Sequence, residues 1–212
     1  MKERGMIFNS EMVLAILDGR KTQTRRPVKF PVHDKNLGCE LSGNELAGEL
    51  SAGNYLNSAF GKPGDRIWVK ETFCPVDDTQ YGGEKWVDYR GTPRYEASHP
   101  AGWDSAPNDA EALKWRPSIH MPRWASRILL EITDVLVERL NAISEEDARA
   151  EGIIDGGCLN CGEPEPCGCA NPEPDATDAF AYLWQSIYGQ ENWNANPWVW
   201  VISFKRVEGG AA

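Results

Sequence analysis

The sequence lacks any apolar run that approaches the ~20 residues needed to span a membrane. Its charged first residues, 1–5, are not followed by an apolar region of the signal-peptide type. We therefore expect a protein that does not contact membranes and that resides in the cytoplasm. No internal repeat is visible either, so a repeat architecture is not expected.

Positive charge is scarce, with 22 Lys and Arg against 32 Asp and Glu and a net charge of −10. Such a field repels phosphates, which argues against non-specific binding to long duplex DNA. The charge is unevenly distributed, however. Residues 150–178 carry seven carboxylates and no Lys or Arg, whereas residues 114–127 carry four cations and no acid. A local basic face on an acidic body suits a small anionic ligand or a single strand.

Apolar residues, by contrast, make up 41% of the 212 residues, and nine of these are tryptophans. This composition predicts a folded domain with a real core. We expect a single domain over residues 1–212, with irregular insertions at about 31–60, 75–113 and 155–175, where turn-forming residues are frequent.

The apolar patterns predict a strand, a helix, a group of strands, two helices and a final strand. Because the strands cluster without regular helical crossovers, the pattern favours an α+β fold, a small mixed β-barrel with flanking helices, over a parallel βαβ sheet. Pro27 limits its strand to an edge of the sheet, or itself to a strand terminus. A slip in alternation near residues 133–134 predicts a bulge. Residues 198–207 are apolar on both faces in their first half, which predicts an interior strand.

The run at residues 19–26, GRKTQTRR, places four cations and two hydroxyls within an acidic chain. Residues 10–18 before it form a predicted helix, which Ser10 caps and Gly19 ends. Lys21 therefore follows a helix end at the entry to an extended segment. The three arginines of the run lower the pKa of Lys21 and favour its neutral, nucleophilic amine. A solvated basic turn is the simpler alternative.

A second candidate segment, residues 114–124, contains two prolines that make it stiff and non-helical, and it interleaves Trp, Arg, His and Met. This chemistry suits unpaired bases and phosphates. We interpret Arg116, His120 and Arg123 as facing a ligand and Trp124 as a core residue. Glu71, at the end of a predicted strand, is a further candidate for the barrel mouth, with a salt-bridge role as the alternative.

Four cysteines lie within twelve residues, as two pairs. In a cytoplasmic protein this spacing favours a zinc knuckle over a disulfide, with reduced spectator thiols as the alternative. A four-thiolate site leaves no position for water and is structural. The predicted ligands are Cys158, Cys161, Cys167 and Cys169.

Taken together, the helix leading into the 19–26 run, the strand at residues 64–69, residues 140–151 and the final strand at 198–205 resemble the ASCH family, small β-barrels related to the RNA-binding PUA domain. The chain is also similar to longer ASCH proteins of bacteriophages and prophages. The resemblance implies a PUA-like barrel whose mouth binds RNA or a modified nucleoside.

Small bacterial members of this family are N4-acetylcytidine amidohydrolases, and the resemblance implies that Lys21, Thr24 and Glu151 are the catalytic set. An amine nucleophile or base, a proton-shuttling carboxylate and an orienting hydroxyl suit amide hydrolysis. No cofactor is needed for this chemistry. The alternatives are a metal-dependent ribonuclease, a non-catalytic reader of RNA or of a modified base, and an interaction protein. The proposed substrate-binding residues of the basic run are Arg20, Thr22, Arg25 and Arg26.

Overall fold

A computed structural model describes residues 1–77, 79, 83–94, 114–154 and 176–207. The strands, in chain order, are β1 (Glu3–Ile7), β2 (Gln23–Pro27), β3 (Val32–His33), β4 (Glu40–Leu41), β5 (Arg66–Lys70), β6 (Phe73–Asp77), β7 (Lys85–Tyr89), β8 (Leu129–Arg139) and β9 (Trp198–Arg206). The α-helices are α1 (Ser10–Leu17), α2 (Gly43–Ser51), α3 (Glu145–Ala150), α4 (Ala176–Tyr188) and α5 (Gln190–Asn194). Within this described part, no helix is long and apolar enough to cross a membrane.

The main sheet has five strands in the order β1-β5-β8-β9-β2. β1 runs parallel to β5, and the other neighbours are antiparallel. The fold is therefore α+β with a mixed sheet, as predicted. β2, which contains Pro27, is an edge strand, and β9 is an interior strand. The predicted bulge in β8 is confirmed as a register shift between Ile132 and Asp134.

The sheet curls so that its two edges approach each other. A side chain of one edge strand, which reaches the other edge, shows this approach. The Arg26 guanidinium, on β2, donates from Nη2 to the carbonyl of Ile7, at the end of β1, at 3.0 Å. Its Cζ lies 5.4 Å from the ring centroid of Phe8. Across the described residues no backbone pairing joins β1 to β2. The sheet is thus open at this junction, where Arg26 bridges the gap.

The two faces of β9 supply two separate cores, as strand alternation requires. Trp200, Ile202 and Phe204 lie in the main core, which also receives residues of α1 and α2. Val199 and Val201 face the second core, which lies beneath α3 and α4. Opposed residues of neighbouring strands share a face. The side chains of β2 therefore also alternate between the face of the main core and the face of the second core.

The interpretation of residues 31–60 as irregular is wrong. They contain α2, whose N-terminus carries a complete capping box between Ser42 and Glu45. Leu46 and Leu50 of this helix are buried in the main core. The Ser-x-x-Glu spacing was the available signal.

Two further expectations need correction. Residues 75–113 were predicted to be irregular, yet β6 and β7 pair as an antiparallel hairpin across their first part. Helix α1 is capped by the side chain of Asn9, which accepts a hydrogen bond from the Met12 amide at 2.8 Å, rather than by Ser10. Asn9 is equally suited to this role, so sequence alone does not separate the two positions.

Candidate functional site

Lys21 and Glu151 are brought together by the backbone as well as by their side chains. The Lys21 amide donates to the Ala15 carbonyl at the end of α1, at 2.9 Å. Lys21 and Glu151 form an isolated antiparallel bridge, and the Thr22 amide donates to the Ala150 carbonyl at 2.8 Å. Because Glu151 is also the C-cap of α3, the end of one helix is joined to the end of another.

The Lys21 amine lies 2.6 Å from Glu151 Oε2 and 2.7 Å from the backbone carbonyl of the same residue. Both side chains are almost wholly buried, at 0% and 3% exposure. The proximity expected from the sequence, across 130 residues, is therefore present. What the pair does chemically remains a prediction.

Arg25 extends this pair into a polar network between β2, α3 and β8. Its Nη2 donates to Glu138 at 2.7 Å and to Asp147 at 3.2 Å, and its Nη1 lies 3.5 Å from Glu151 Oε1. Gln23 accepts from Arg25 and donates to Asp147. The guanidinium also lies 5.9 Å from the Phe180 ring of α4. Lys21, Arg25 and the three carboxylates thus carry a formal charge of −1 when all are ionised.

Burial sets the protonation behaviour of this network. Desolvation lowers the pKa of Lys21 below its ordinary value, and this outweighs the attraction and hydrogen bond of Glu151, which raise it. The charges of Arg26 and Arg25 lower the pKa a little further. The sequence thus predicted the direction, but the arginines are a minor cause. The pKa of Asp147 also lies below its usual value, because Arg25 and the hydrogen bonds of Gln23 and Ser144 outweigh its burial.

Thr24 does not join the network in this structure. It lies opposite Ile202 of the main core, whereas Arg25 lies opposite Val201 of the second core. The two side chains therefore occupy opposite faces of β2. Thr24 Oγ1 is buried and has no hydrogen-bond partner within the described residues. Its catalytic role stays a prediction from the resemblance.

A cavity of about 450 Å³ adjoins Glu151. Its walls come from α1, from Glu151 with the three residues after it, and from Ala179 and Leu183 of α4. Arg20 also lines it and donates to the Gly152 carbonyl at 3.0 Å. The lining mixes aliphatic side chains with a few polar groups, which is usual for sites that bind small molecules.

The other candidates of the basic run lie outside this cavity. Thr22 is exposed, and Arg26 bridges the two sheet edges as described.

Glu71 is buried, and Arg127 donates to both of its carboxylate oxygens at 2.9 Å. Arg127 in turn lies 4.0 Å from the Tyr89 ring centroid. The salt-bridge alternative for Glu71 is therefore the arrangement observed.

The segment at residues 114–124 forms a surface. Arg116 and His120 are exposed, and Arg123 forms an ion pair with Glu3 at 3.0 Å. Trp124 is 70% exposed, so the interpretation of this residue as core is wrong. Met121 and Ala125 supply the buried contacts of this segment instead.

Sequence reasoning missed three members of the network: Gln23, Glu138 and Asp147. Gln23 was predictable, because residues two apart along a strand share a face and Gln23 therefore lies on the same face as Arg25. Glu138 and Asp147 carried none, because their approach depends on how β8 and α3 pack against β2.

The four cysteines predicted to bind zinc lie outside the described residues, so that site stays a prediction. In the ranges that the structure describes, no cluster of His, Cys, Asp and Glu has a metal-binding arrangement. Comparison with known proteins finds no matching family model, no matching curated protein and no matching solved structure.

Proposed function

We propose that this chain is an ASCH-type hydrolase that removes the acyl group from an N-acylated cytidine, with Lys21 and Glu151 as its catalytic pair. One observation carries the proposal: a lysine with a lowered pKa contacts a buried carboxylate at 2.6 Å beside a cavity of nucleoside size. We assign the curled sheet to the PUA-like barrel type on the same sequence resemblance.

In this proposal the neutral Lys21 amine takes a proton from a water molecule as the water oxygen bonds to the amide carbonyl carbon. The proton passes to Glu151, whose carboxyl group delivers it to the cytidine N4 nitrogen as the carbon–nitrogen bond breaks. The products are the carboxylic acid and cytidine. A lysine that is neutral nearer to neutral pH is a better base for this step than an ordinary one. Arg25 Nη1 lies 3.5 Å from Glu151 Oε1 and helps to hold this carboxylate in position.

The test is incubation of the protein with N4-acetylcytidine and quantification of released cytidine by chromatography. Lys21→Arg keeps a positive charge but does not lose its proton at ordinary pH. We expect it to abolish turnover and to change nucleoside affinity by only a few-fold. Glu151→Gln should slow turnover by about 10²–10⁴-fold. Lys29→Arg, at an exposed lysine outside the cavity, is the matched control.

Two outcomes would contradict the proposal. One is the absence of cytidine release by the unaltered protein at any pH between 6 and 10. The other is turnover in Lys21→Arg equal to that of Lys29→Arg. Circular dichroism of each variant confirms that it is folded.

A second candidate function is a reader of single-stranded RNA, and the exposure of Trp124 favours it. An aromatic ring that is 70% exposed, next to Arg123 in the chain, provides a stacking surface close to a guanidinium. The two functions are compatible, because this surface and the cavity beside Glu151 share no residue. Loss of labelled-RNA binding in Trp124→Ala with cytidine release unchanged would identify the surface as a separate reader.

A further inference from the structure

A second cavity, of about 590 Å³, lies apart from the one beside Glu151. It is bounded by residues before and within β1, by Lys35 between β3 and β4, and by the chain between α2 and β5. Four of its lining side chains are cationic: Lys2, Arg4, Lys35 and Lys62. Because the whole chain has a net charge of −10, this local positive charge is opposite in sign to that of the protein as a whole.

The positive charge of this cavity is only partly offset by acidic side chains. None of the four cations forms an ion pair with a carboxylate in the described parts of the chain. Lys35 Nζ donates to the Leu56 carbonyl, and Arg4 donates to the Ala59 carbonyl. These backbone carbonyls hold the two cationic groups without cancelling their charge.

Asp65 is the acidic residue that lines this cavity, and its carboxylate already accepts hydrogen bonds from the backbone. Its carboxylate accepts from the Lys2 amide at 2.7 Å and from the Lys62 amide at 3.3 Å. These bonds, with the charge of Arg4, hold its pKa below the usual value. Asp65 is buried at 4% exposure and fastens the start of the chain to the turn before β5.

We propose that this cavity binds the phosphate group of a phosphate ester, either a free nucleotide or the backbone of single-stranded RNA. Four cations that line one cavity repel one another, and a bound phosphate relieves that repulsion while accepting their hydrogen bonds. Arg4 adds a planar fork that matches phosphate oxygens. The volume exceeds that of a phosphate alone, and Tyr55 and Leu56 provide an apolar wall for the remainder of the ester.

This site goes beyond the proposed hydrolase. Lys2 and Arg4 lie at the start of β1, whereas Asn9, which lines the cavity beside Glu151, follows its end. A strand of five residues separates the two positions by roughly 16 Å at ~3.3 Å per residue. Loss of phosphate binding and loss of acyl hydrolysis are therefore distinguishable by separate variants.

The test uses Lys35→Gln/Lys62→Gln, since both side chains are exposed and neither holds the fold through an ion pair in the described residues. The control of equal charge change is Lys29→Gln/Lys205→Gln, which removes two exposed lysines from outside the cavity, one of which, Lys205, forms a surface ion pair with Glu131 at 2.9 Å. Binding of a labelled eight-nucleotide RNA is measured by fluorescence anisotropy across a range of salt concentrations. Binding of inorganic phosphate is measured by calorimetry, and thermal melting confirms folding.

We expect the cavity variant to bind the RNA at least tenfold more weakly than the control. The slope of log affinity against log salt should become shallower by about 1.4, since two phosphate contacts at ~0.7 each are lost. Weakening of both ligands assigns the site to phosphate itself, and weakening of RNA alone assigns it to the nucleic-acid backbone. Equal binding of both ligands by the cavity variant and the control overturns the proposal.

Discussion

The Lys21 amine donates to Glu151 twice, to Oε2 at 2.6 Å and to the backbone carbonyl at 2.7 Å. A neutral amine has two N–H donors and one lone pair. If Glu151 occupies both donors, the lone pair remains available to take a proton or to attack a carbon. The carbonyl is fixed because Glu151 caps α3. The same residue therefore holds the amine in place and stands ready to accept its proton.

Replacement of Lys21 by Met should lower the free energy of unfolding by roughly 3 kcal/mol, because it leaves the Glu151 carboxylate buried without its main partner. Urea denaturation measures this loss. The double variant Lys21→Met/Glu151→Gln removes the stranded charge and should recover part of it. A single variant as stable as the unaltered protein would show that the pair is not buried in solution.

The stability of the unaltered protein relative to Lys21→Met should rise with pH below 10.5, the ordinary lysine value. The pKa of folded Lys21 is lowered, so between that value and 10.5 the unfolded chain binds a proton that the folded chain does not. Folding is then favoured as pH increases, by at most about 1.4 kcal/mol per pH unit. This contribution to stability is complete above pH 10.5 and is lost as the pH falls from 10.5 to the lowered pKa of folded Lys21. Urea denaturation of both proteins between pH 7 and 10.5 measures the difference, and a difference that shrinks with rising pH would indicate a raised pKa instead.

Gly152→Ala should destabilise the protein more than Gly53→Ala does. Both glycines have positive φ, +88° and +79°, so both variants incur the left-handed penalty of about 1–2 kcal/mol. A Cβ at Gly152 would also lie 2.9 Å from Ala15 Cβ and 3.1 Å from Lys21 Cβ, whereas a Cβ at Gly53 meets nothing within 4 Å. We expect an additional loss of roughly 1–3 kcal/mol from overpacking, measured by urea denaturation. Equal losses would mean that the backbone beside Lys21 yields readily.

Local signals made much of the fold predictable. Pro27 indicated that β2 lies at an edge or that the proline ends a strand, and a slip in alternation indicated the bulge in β8. Each depends on a few neighbouring residues. The prediction failed at α2 because its composition is typical of a loop, although its capping box indicates a helix.

The site was predictable only where the resemblance supplied long-range information. Nothing local indicates that Glu151 meets Lys21 or that Glu138 meets Arg25, since strand and helix packing sets both distances. Trp124 was misjudged because hydrophobicity alone does not distinguish a buried ring from an exposed one. Whether a polar residue of β2 joins the network or the main core depends on a register that sequence does not show.

Thr24→Val should leave the protein as stable as before or stabilise it by about 1 kcal/mol. The Thr24 hydroxyl is buried without a hydrogen-bond partner within the described residues, and an apolar group of similar shape removes that desolvation cost. Thermal melting measures the effect, and a clear loss of stability would reveal a partner for the hydroxyl. Hydrolysis of N4-acetylcytidine by this stable variant then tests the predicted role of Thr24 in orienting the substrate.

Trp124→Ala should change the free energy of unfolding by less than about 0.5 kcal/mol, because the ring is 70% exposed and truncation leaves no cavity. If the ring stacks on an unpaired base, the same variant should weaken binding of a labelled single-stranded RNA by about 1–3 kcal/mol. Tyr182→Ala, at a ring of 69% exposure on α4, is the matched control for the loss of an exposed aromatic. Denaturation and fluorescence anisotropy on both variants measure the two quantities. Equal RNA binding by the two variants would remove Trp124 from the proposed stacking surface, whereas a selective loss in Trp124→Ala would place an RNA base against it.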